Sequence, residues 1–343
     1  MASSKEYIQF ISGQLSDLDD LHQIISDTQP NICQTVIVKE GKLIYSDTWN
    51  GYSLNDTVHI ASATKSVVAL LVGIAIDKGY IDSLEQHILD FFPEYTLKRG
   101  EKTLPCVKLK HLLSMTTPYK FKSEPWTKIC GSDDWAKSTL DLIGGRSGIT
   151  GEFHYSTLGI HVISEIIART SRFSMLDFAN KYLFEPLDIE KCESYIADNR
   201  ENHLSYITAR ESQGRKWLCD KKGNAAAGFG LCLSAVDMAK IGQLCVENGE
   251  YNGKRIVSES WITQMLMLHS SAEINSQKIK YGYLWWIIDA DNKVYAAIGD
   301  SGNVIYIDLK DEIVVAIASS FKPAVHDRIA FIQQNILPHV KVR

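Results

Sequence analysis

The spacing of apolar residues changes along the chain, and its first part alternates between helix and strand patterns. Apolar positions at helical spacing over 16–28, after Ser16, predict a helix with a serine cap. Two short apolar runs then flank Glu40-Gly41 and predict a β-hairpin. A strongly apolar stretch over 62–79 predicts a buried helix that ends at Gly79.

The middle and the C-terminal part differ in character. Residues 80 to about 215 mostly repeat apolar positions at helical spacing, and two further helices are predicted over 234–248 and 258–268. Beyond these, four short β-branched and aromatic runs predict strands. The runs are YGYLWWII, VYAAIG, NVIYID and EIVVAIAS. A final amphipathic helix is predicted from Phe321 to Leu337.

Strand patterns at both ends and helices between them predict an α/β (α+β) fold. The economical arrangement is one antiparallel sheet flanked by helices, with an all-helical lobe inserted into it. We therefore expect a discontinuous sheet domain, 1–65 with 216–343, a helical lobe over 66–215, and a site at their interface. Alternation places Trp285 and Trp286 on opposite faces of the sheet, one in the core and one in the cleft wall.

Composition narrows the class of function. The 343 residues carry a net charge of −5, from 36 basic and 41 acidic side chains, which argues against nucleic acid or an anionic membrane as partner. No signal-peptide pattern opens the chain, and the longest apolar run, VVALLVGIAI, is too short for a membrane span. Seven cysteines without a CxxC pair indicate reduced thiols in a cytoplasmic protein. No metal or cofactor motif is present, and oligomeric state stays open.

The candidate chemistry begins at Ser62 and Lys65, three residues apart at the start of the apolar helix. This spacing places both side chains on one helix face, where a lysine of lowered pKa can activate a serine hydroxyl. The structural alternative is a capping serine beside a solvated lysine. A second Ser-x-x-Lys, Ser319 to Lys322, precedes Pro323 and opens no long helix, so we interpret it as coincidence.

Six segments in order resemble the serine β-lactamase and penicillin-binding-protein superfamily, in its class C and esterase branch. They are IASATKSVVALL, VKLKHLLSMTTPY, FHYSTLGIHVI, LFEPLDI, AAAGFGLCLSAVDMAKIGQL, and YGYLWW with IGDSGNVIYIDLK. The resemblance covers roughly residues 34 to 335 and implies a β-lactamase/transpeptidase-like fold.

The resemblance also implies roles for individual residues. Ser62 would be the acylated nucleophile, Lys65 would share in its activation, and Tyr155 would be the general base or its relay. A lysine cation lowers the pKa of a neighbouring phenol, so that it can accept the hydroxyl proton. The backbone N–H groups of Ser62 and Asn303 would form the oxyanion hole.

Two positions depart from the family pattern. Thr157 stands where the second motif usually has Asn, and it keeps a hydroxyl but has fewer fixed donors. The third motif, usually Lys-Thr-Gly or His-x-Gly, aligns with Asp300-Ser301-Gly302. Asp300 would repel the carboxylate that β-lactams present, Ser301 could hydrogen-bond substrate, and Gly302 would allow its close approach.

These observations favour a serine hydrolase that opens an ester or amide through an acyl-enzyme. The expected substrate is a small neutral or cationic ester, amide or peptide-like molecule, with weak action on β-lactams. The alternatives are a covalent penicillin sensor or inactive scaffold, and a true class C β-lactamase or D-alanyl-D-alanine carboxypeptidase. A fourth hypothesis takes Gly299-Asp300-Ser301-Gly302 literally, with Ser301 as a chymotrypsin-like nucleophile, but the helical middle does not suit it.

Overall fold

The computed structural model describes residues 9–10, 19–274, 277–325 and 327–341. Fifteen strands are described. They are β1 (Gln9–Phe10), β2 (Ile32–Lys39), β3 (Lys42–Thr48), β4 (Val58–His59), β5 (Glu193–Ile196), β6 (Lys216–Cys219), β7 (Cys232–Leu233), β8 (Glu250–Tyr251), β9 (Lys254–Arg255), β10 (Ser270–Ile274), β11 (Gln277–Tyr281), β12 (Trp286–Asp289), β13 (Val294–Gly299), β14 (Asn303–Asp308) and β15 (Ile313–Ser319).

Twelve α-helices are described in the same ranges, with short 3₁₀ and π turns between them. They are α1 (Asp19–Thr28), α2 (Thr64–Asp77), α3 (Leu109–Leu113), α4 (Trp126–Cys130), α5 (Trp135–Leu140), α6 (Val162–Ser171), α7 (Met175–Ala179), α8 (Arg200–Ile207), α9 (Ala235–Val246), α10 (Glu259–Leu266), α11 (Arg328–Phe331) and α12 (Leu337–Lys341).

One nine-stranded sheet organises the molecule, in the order β1-β3-β2-β15-β14-β13-β12-β11-β10. Its ladders are antiparallel except for the parallel pair of β1 and β3. Strands from the two ends of the chain meet where β2 pairs with β15. The large antiparallel sheet flanked by helices confirms the predicted fold class.

Both faces of the central strands are buried, which explains why β14 and β15 read as continuous apolar runs. Ile305 and Ile307 face the core that contains α2 and α9, while Val304 and Tyr306 face α1 and the C-terminal helices. Each fully buried aliphatic side chain contributes about 1.5–3 kcal/mol. Gly242 allows α9 to pack closely against β15, because a Cβ at this position would lie 2.5 Å from Val314 Cγ1.

Local signals explain the elements that carry the site. The hairpin of β2 and β3 turns at Glu40 and Gly41, with φ of 49° and 72°, as a tight two-residue turn requires. The predicted buried helix is α2, which begins at Thr64 after a 3₁₀ turn rather than at Ser62. Its stop at Gly79, with φ of 71°, is confirmed.

Other elements differ from the predictions. The closing helix does not begin at Phe321: residues 321–325 are non-helical, and the helical segment begins at Arg328, where Asp327 accepts the N–H groups of Ile329 and Ala330. Ser16, the predicted cap of α1, lies outside the described residues. Strands β5 and β6 have too few residues to give an alternation signal.

The predicted division into 1–65 with 216–343 and 66–215 stays a prediction. In the described part of the chain, no helix has the length and apolarity needed to cross a membrane. The seven cysteines, all within the described residues, form no disulfide with one another.

Candidate active site

Ser62 lies in a one-turn 3₁₀ helix, Ala61–Ala63, that leads directly into α2. Ala61 has a φ of 50°, a left-handed conformation that is costly for a residue with a Cβ. The end of β13 packs against this turn, because a Cβ on Gly299 would lie 2.1 Å from Ile60 O and 3.1 Å from Ala63 N. The serine is therefore held between a strained turn and a strand end that only glycine allows.

Lys65 is 1% exposed, and its ammonium group has three hydrogen-bond acceptors. Its Nζ donates to Ser62 Oγ at 2.9 Å, to Thr157 Oγ1 at 3.1 Å and to Gly228 O at 2.8 Å. All three acceptors are uncharged, so the cation is solvated by the protein rather than neutralised by it. A cation at this distance stabilises negative charge on the serine oxygen.

Tyr155 forms the wall beside Lys65. The lysine Nζ lies 4.9 Å from the centroid of the tyrosine ring, and Trp286 stacks on that ring at 5.7 Å. Trp285 is completely buried whereas Trp286 is partly exposed, which confirms the predicted core and cleft-wall positions. Burial, and then the neighbouring Tyr155, raises the pKa of Tyr281 far above its ordinary value, so Tyr281 does not act as a base.

A carboxylate that sequence reasoning missed holds the turn between Tyr155 and Thr157. Glu124 Oε1 accepts the hydroxyl of Ser156 at 2.6 Å and the N–H of Leu158 at 2.9 Å. The same Ser156 Oγ accepts the N–H of Gly159 at 2.8 Å. Glu124 lies in a loop-rich segment, and nothing in its local pattern points to this role.

Gly228 is a second residue that sequence reasoning did not single out. A Cβ there would lie 2.2 Å from Thr157 O, so only glycine allows its carbonyl to reach Lys65. The segment AAAGFG is the sequence signal for this role, since glycines among small residues are typical of close backbone approach.

The nearby histidines are weak bases. His59 Nε2 accepts the N–H of Gly230 at 3.0 Å, and burial lowers the pKa of His59 to about 4. Burial, with a smaller effect from the Lys65 charge, lowers the pKa of His161 to about 3. Both rings are therefore neutral at pH 7 and have little tendency to take a proton from Ser62.

Ser301 occupies a turn of its own, Asp300–Gly302, and its hydroxyl is used within the protein. It is 8% exposed, accepts the N–H of Lys322 at 3.0 Å and donates to Lys322 O at 3.2 Å. These contacts give it no base, so the chymotrypsin-like hypothesis is wrong. A Cβ on Gly302 would lie 2.5 Å from Arg328 Nε, so this glycine makes room for an arginine, and the geometry gives no support to its predicted contact with substrate.

Asp300 is the first residue of that turn and Asn303 is the residue that follows it, and the two differ in exposure. The side chain of Asp300 is exposed, at the end of β13. Asn303 is completely buried: its Nδ2 donates to Asp300 O and His59 O, and its Oδ1 accepts the N–H of Ser319. Its N–H as an oxyanion donor stays a prediction, and the burial of the residue weighs against it.

Comparison with known proteins decides the family. A family model described as beta-lactamase matches residues 33–334. The chain belongs to the beta-lactamase family. The matched range is nearly the one over which the sequence motifs resemble this family, so the recognition is confirmed, although the class C branch itself is not specified.

Relatives within the family cover most of the chain at low identity. The 6-aminohexanoate-dimer hydrolase of Paenarthrobacter ureafaciens is 21% identical over 340 residues, covering 93% of this chain and 80% of that protein. A family VIII carboxylesterase superposes with a TM-score of 0.70 at 15% identity, over 96% of this chain and 99% of the other. An octameric penicillin-binding protein homologue from Pyrococcus abyssi gives 0.67 at 18%, over 95% and 78%. The family match, with a hydrolase among the relatives, confirms the predicted serine hydrolase.

Proposed function

We propose that this protein opens an ester or amide through an acyl-enzyme on Ser62. The observation that carries the proposal is the hydrogen bond of 2.9 Å between Lys65 Nζ and Ser62 Oγ, with the lysine buried and held by Thr157 and Gly228. A buried ammonium beside a serine hydroxyl favours the charged oxygen that must attack a carbonyl carbon.

The proposed reaction has two half-steps. Ser62 Oγ attacks the carbonyl carbon, its proton passes to the oxygen of Tyr155 in its phenolate form beside the Lys65 cation, and the bond to the leaving alcohol or amine breaks as that group takes the proton. Water then attacks the acyl-enzyme, gives one proton back to Ser62 Oγ and releases the carboxylic acid. The Ser62 N–H and a main-chain N–H at the end of β13 would hold the oxyanion.

The substrate class follows from charge and from the aromatic wall. Asp300 is exposed beside the serine turn, at the alignment position where a cation is usual, which disfavours anionic β-lactams and favours neutral or cationic substrates. Tyr155 and Trp286 offer flat apolar surface for an alkyl or acyl stem. One relative is named for hydrolysis of a 6-aminohexanoate dimer and one structural neighbour is named a carboxylesterase, which supports the same class.

A covalent sensor or inactive scaffold is less well supported than it was from the sequence. Two departures from the family pattern, at Thr157 and at Asp300, favour this alternative, and the first is a threonine in place of the usual asparagine. Because Thr157 Oγ1 accepts from Lys65 at 3.1 Å, the substitution keeps a contact with the lysine. Only Asp300 remains as a ground, and it concerns substrate charge rather than the chemical step.

Labelling and turnover test the proposal together. Wild-type protein is treated with a fluorophosphonate, the intact mass and the labelled peptide are determined, and p-nitrophenyl butyrate turnover is measured. We expect one phosphonyl group on Ser62, no label or turnover in Ser62→Ala, and near wild-type behaviour in the matched control Ser301→Ala. Turnover that survives Ser62→Ala sinks the assignment, and label without turnover of esters or amides supports the sensor.

A further inference from the structure

A cavity of about 390 Å³ lies among the helices, apart from the serine. Its walls come from α4, α5 and α8, with Trp126, Trp135, Leu204 and Ile207 as the large apolar side chains. Neither Ser62 nor its partners Lys65, Thr157 and Tyr155 belong to the described lining. The volume falls in the range of sites that enclose a small organic molecule.

Phe229 contacts two of the residues that line this cavity. Its ring stacks on Trp135 at 6.2 Å and meets Trp126 edge-on at 5.4 Å. The preceding residue, Gly228, supplies the carbonyl that Lys65 contacts. Phe229 therefore connects two walls of the cavity to the segment that holds Lys65.

Trp135 forms a buried aromatic wall of the cavity. Trp135 is 4% exposed, and its indole Nε1 has no hydrogen-bond partner among the described residues. A buried donor left unpaired costs about 1–3 kcal/mol. Because Trp135 Nε1 has almost no accessible surface, a molecule in the cavity meets the indole ring rather than the N–H.

The charges around the cavity oppose one another. Asp198 and Arg200 lie on its rim with opposite signs, and Lys221 pairs with Asp133 at 2.6 Å. Asp220 is buried, and its carboxylate accepts the N–H groups of Trp135, Lys222 and Asn224. No single sign dominates this lining, which favours a neutral ligand.

Two large apolar side chains of the lining are open to solvent. Trp126 is 41% exposed and Leu204 is 45% exposed, although both belong to the cavity wall. A ligand that covers them removes apolar surface from water at about 25 cal/mol per Å². Aromatic walls favour a flat, aromatic partner.

We propose that this cavity is a binding site, separate from the Ser62 cleft, for a small neutral aromatic molecule. The ring of that molecule lies against Trp126, Trp135 and Leu204. The site is independent of the chemistry at Ser62, so it can fail while the proposed hydrolase stands, and the reverse.

Calorimetric titration with 2-naphthol and with naphthalene-2-sulfonate tests the site, because the two probes share a ring system but differ in charge. We expect 2-naphthol to bind with one site per chain and at least tenfold more tightly than the sulfonate. Leu204→Asp should weaken 2-naphthol at least tenfold. The control Leu97→Asp, at a residue 41% exposed outside the lining, should stay within twofold of wild type.

Three outcomes would overturn the proposal. The first is no saturable heat with 2-naphthol up to its solubility, and the second is equal binding by the Leu204 and Leu97 variants. The third is a crystal soak in which the naphthol lies against Ser62 rather than against Trp135. Thermal unfolding of each variant identifies any change in binding that comes from loss of the fold.

Discussion

Two turns of this molecule each present a serine, and they differ in what surrounds the hydroxyl. Ala61–Ala63 and Asp300–Gly302 are both single 3₁₀ turns with a left-handed residue, Ala61 at 50° and Ser301 at 66°. Ser62 Oγ accepts from a buried ammonium, whereas Ser301 Oγ exchanges hydrogen bonds with the main chain of Lys322. The first arrangement makes a serine oxygen easier to ionise, and the second fastens a loop.

The comparison teaches that a motif identifies a nucleophile only through the group it brings to the hydroxyl. Gly-Asp-Ser-Gly around Ser301 matches a known nucleophile pattern in letters, but its neighbours are peptide groups, which neither accept nor repel a serine proton strongly. Ser62 lies in a less distinctive stretch, and Lys65 three residues later supplies the charge. The four changes below remove or exchange what distinguishes the two turns.

Removal of the lysine charge should have the largest effect. Lys65→Met keeps the length of an apolar stem and deletes the cation, so Ser62 becomes as unactivated as Ser301. We expect kcat/KM for p-nitrophenyl butyrate to fall by about 10³-fold or more. Phosphonate labelling of Ser62 should slow in parallel, while circular dichroism verifies the fold. A loss of less than tenfold in a folded variant would show that Lys65 does not activate the serine.

Glycine exchange separates the two turns by their packing. Gly299→Ala places a methyl group 2.1 Å from Ile60 O, so β13 and the serine turn must move apart, and we expect kcat/KM to fall about 10–100-fold. Gly302→Ala, at a φ of 82°, meets the buried side chain of Arg328 and should lower the free energy of unfolding by about 1–3 kcal/mol. The Gly302 variant should keep its Ser62 labelling rate within threefold, and equal kinetic losses in the two variants would contradict this assignment.

Glu124 should matter through the acceptor it provides rather than through its charge. Glu124→Ala leaves Ser156 Oγ and Leu158 N without that acceptor, so the turn that carries Tyr155 and Thr157 loosens, and we expect kcat to fall about tenfold with KM changed less. Glu124→Gln keeps an acceptor oxygen and should restore kcat to within threefold of wild type. If alanine and glutamine behave alike, Glu124 does not position this turn.

Reversal of the charge at Asp300 should have the smallest effect, because the side chain is exposed and screened by salt. Asp300→Lys should raise the rate of acylation by benzylpenicillin about 3–10-fold. The rate for Asp300→Asn should lie between those of the wild type and the lysine variant. The gain should shrink as salt is added. Acylation rates that stay flat across the three proteins would show that Asp300 does not set the preference for substrate charge.

The strands and the main buried helix could be predicted because their signals are local. Val294 to Asp308 reads as two strands around IGDSGN, and α2 is apolar over its whole length. The positions of β1 and β10 at the two opposite edges of the sheet could not be predicted, since each strand is short and pairs with one neighbour only. The apolar pattern predicts the start of the closing helix too early, because the residue that caps the helix, Asp327, lies inside a polar stretch that gives no distinct signal.

The site was predictable only as far as one stretch of sequence contains it. Ser62 and Lys65 are neighbours on the chain, and the family resemblance brought Tyr155 and Thr157 to them. Other parts of the site depend on contacts between segments that are distant along the chain. These contacts are the close backbone approaches at Gly228 and Gly299 and the hydrogen bonds of the Glu124 carboxylate. The contact between Gly302 and Arg328 could not be predicted for the same reason, and the approach of substrate to Gly302 stays a prediction.

The pairing of β2 with β15 has a consequence for how the molecule forms during synthesis. Ile37 lies beside Val315, so the centre of the sheet joins segments that leave the ribosome far apart in time. Such long-range pairing slows folding, and an early fragment can pair β2 with β3 but lacks β15 on its other side. Gly299, which backs the serine turn, also arrives late, so we expect a nascent chain that ends before β13 to have no reactive serine.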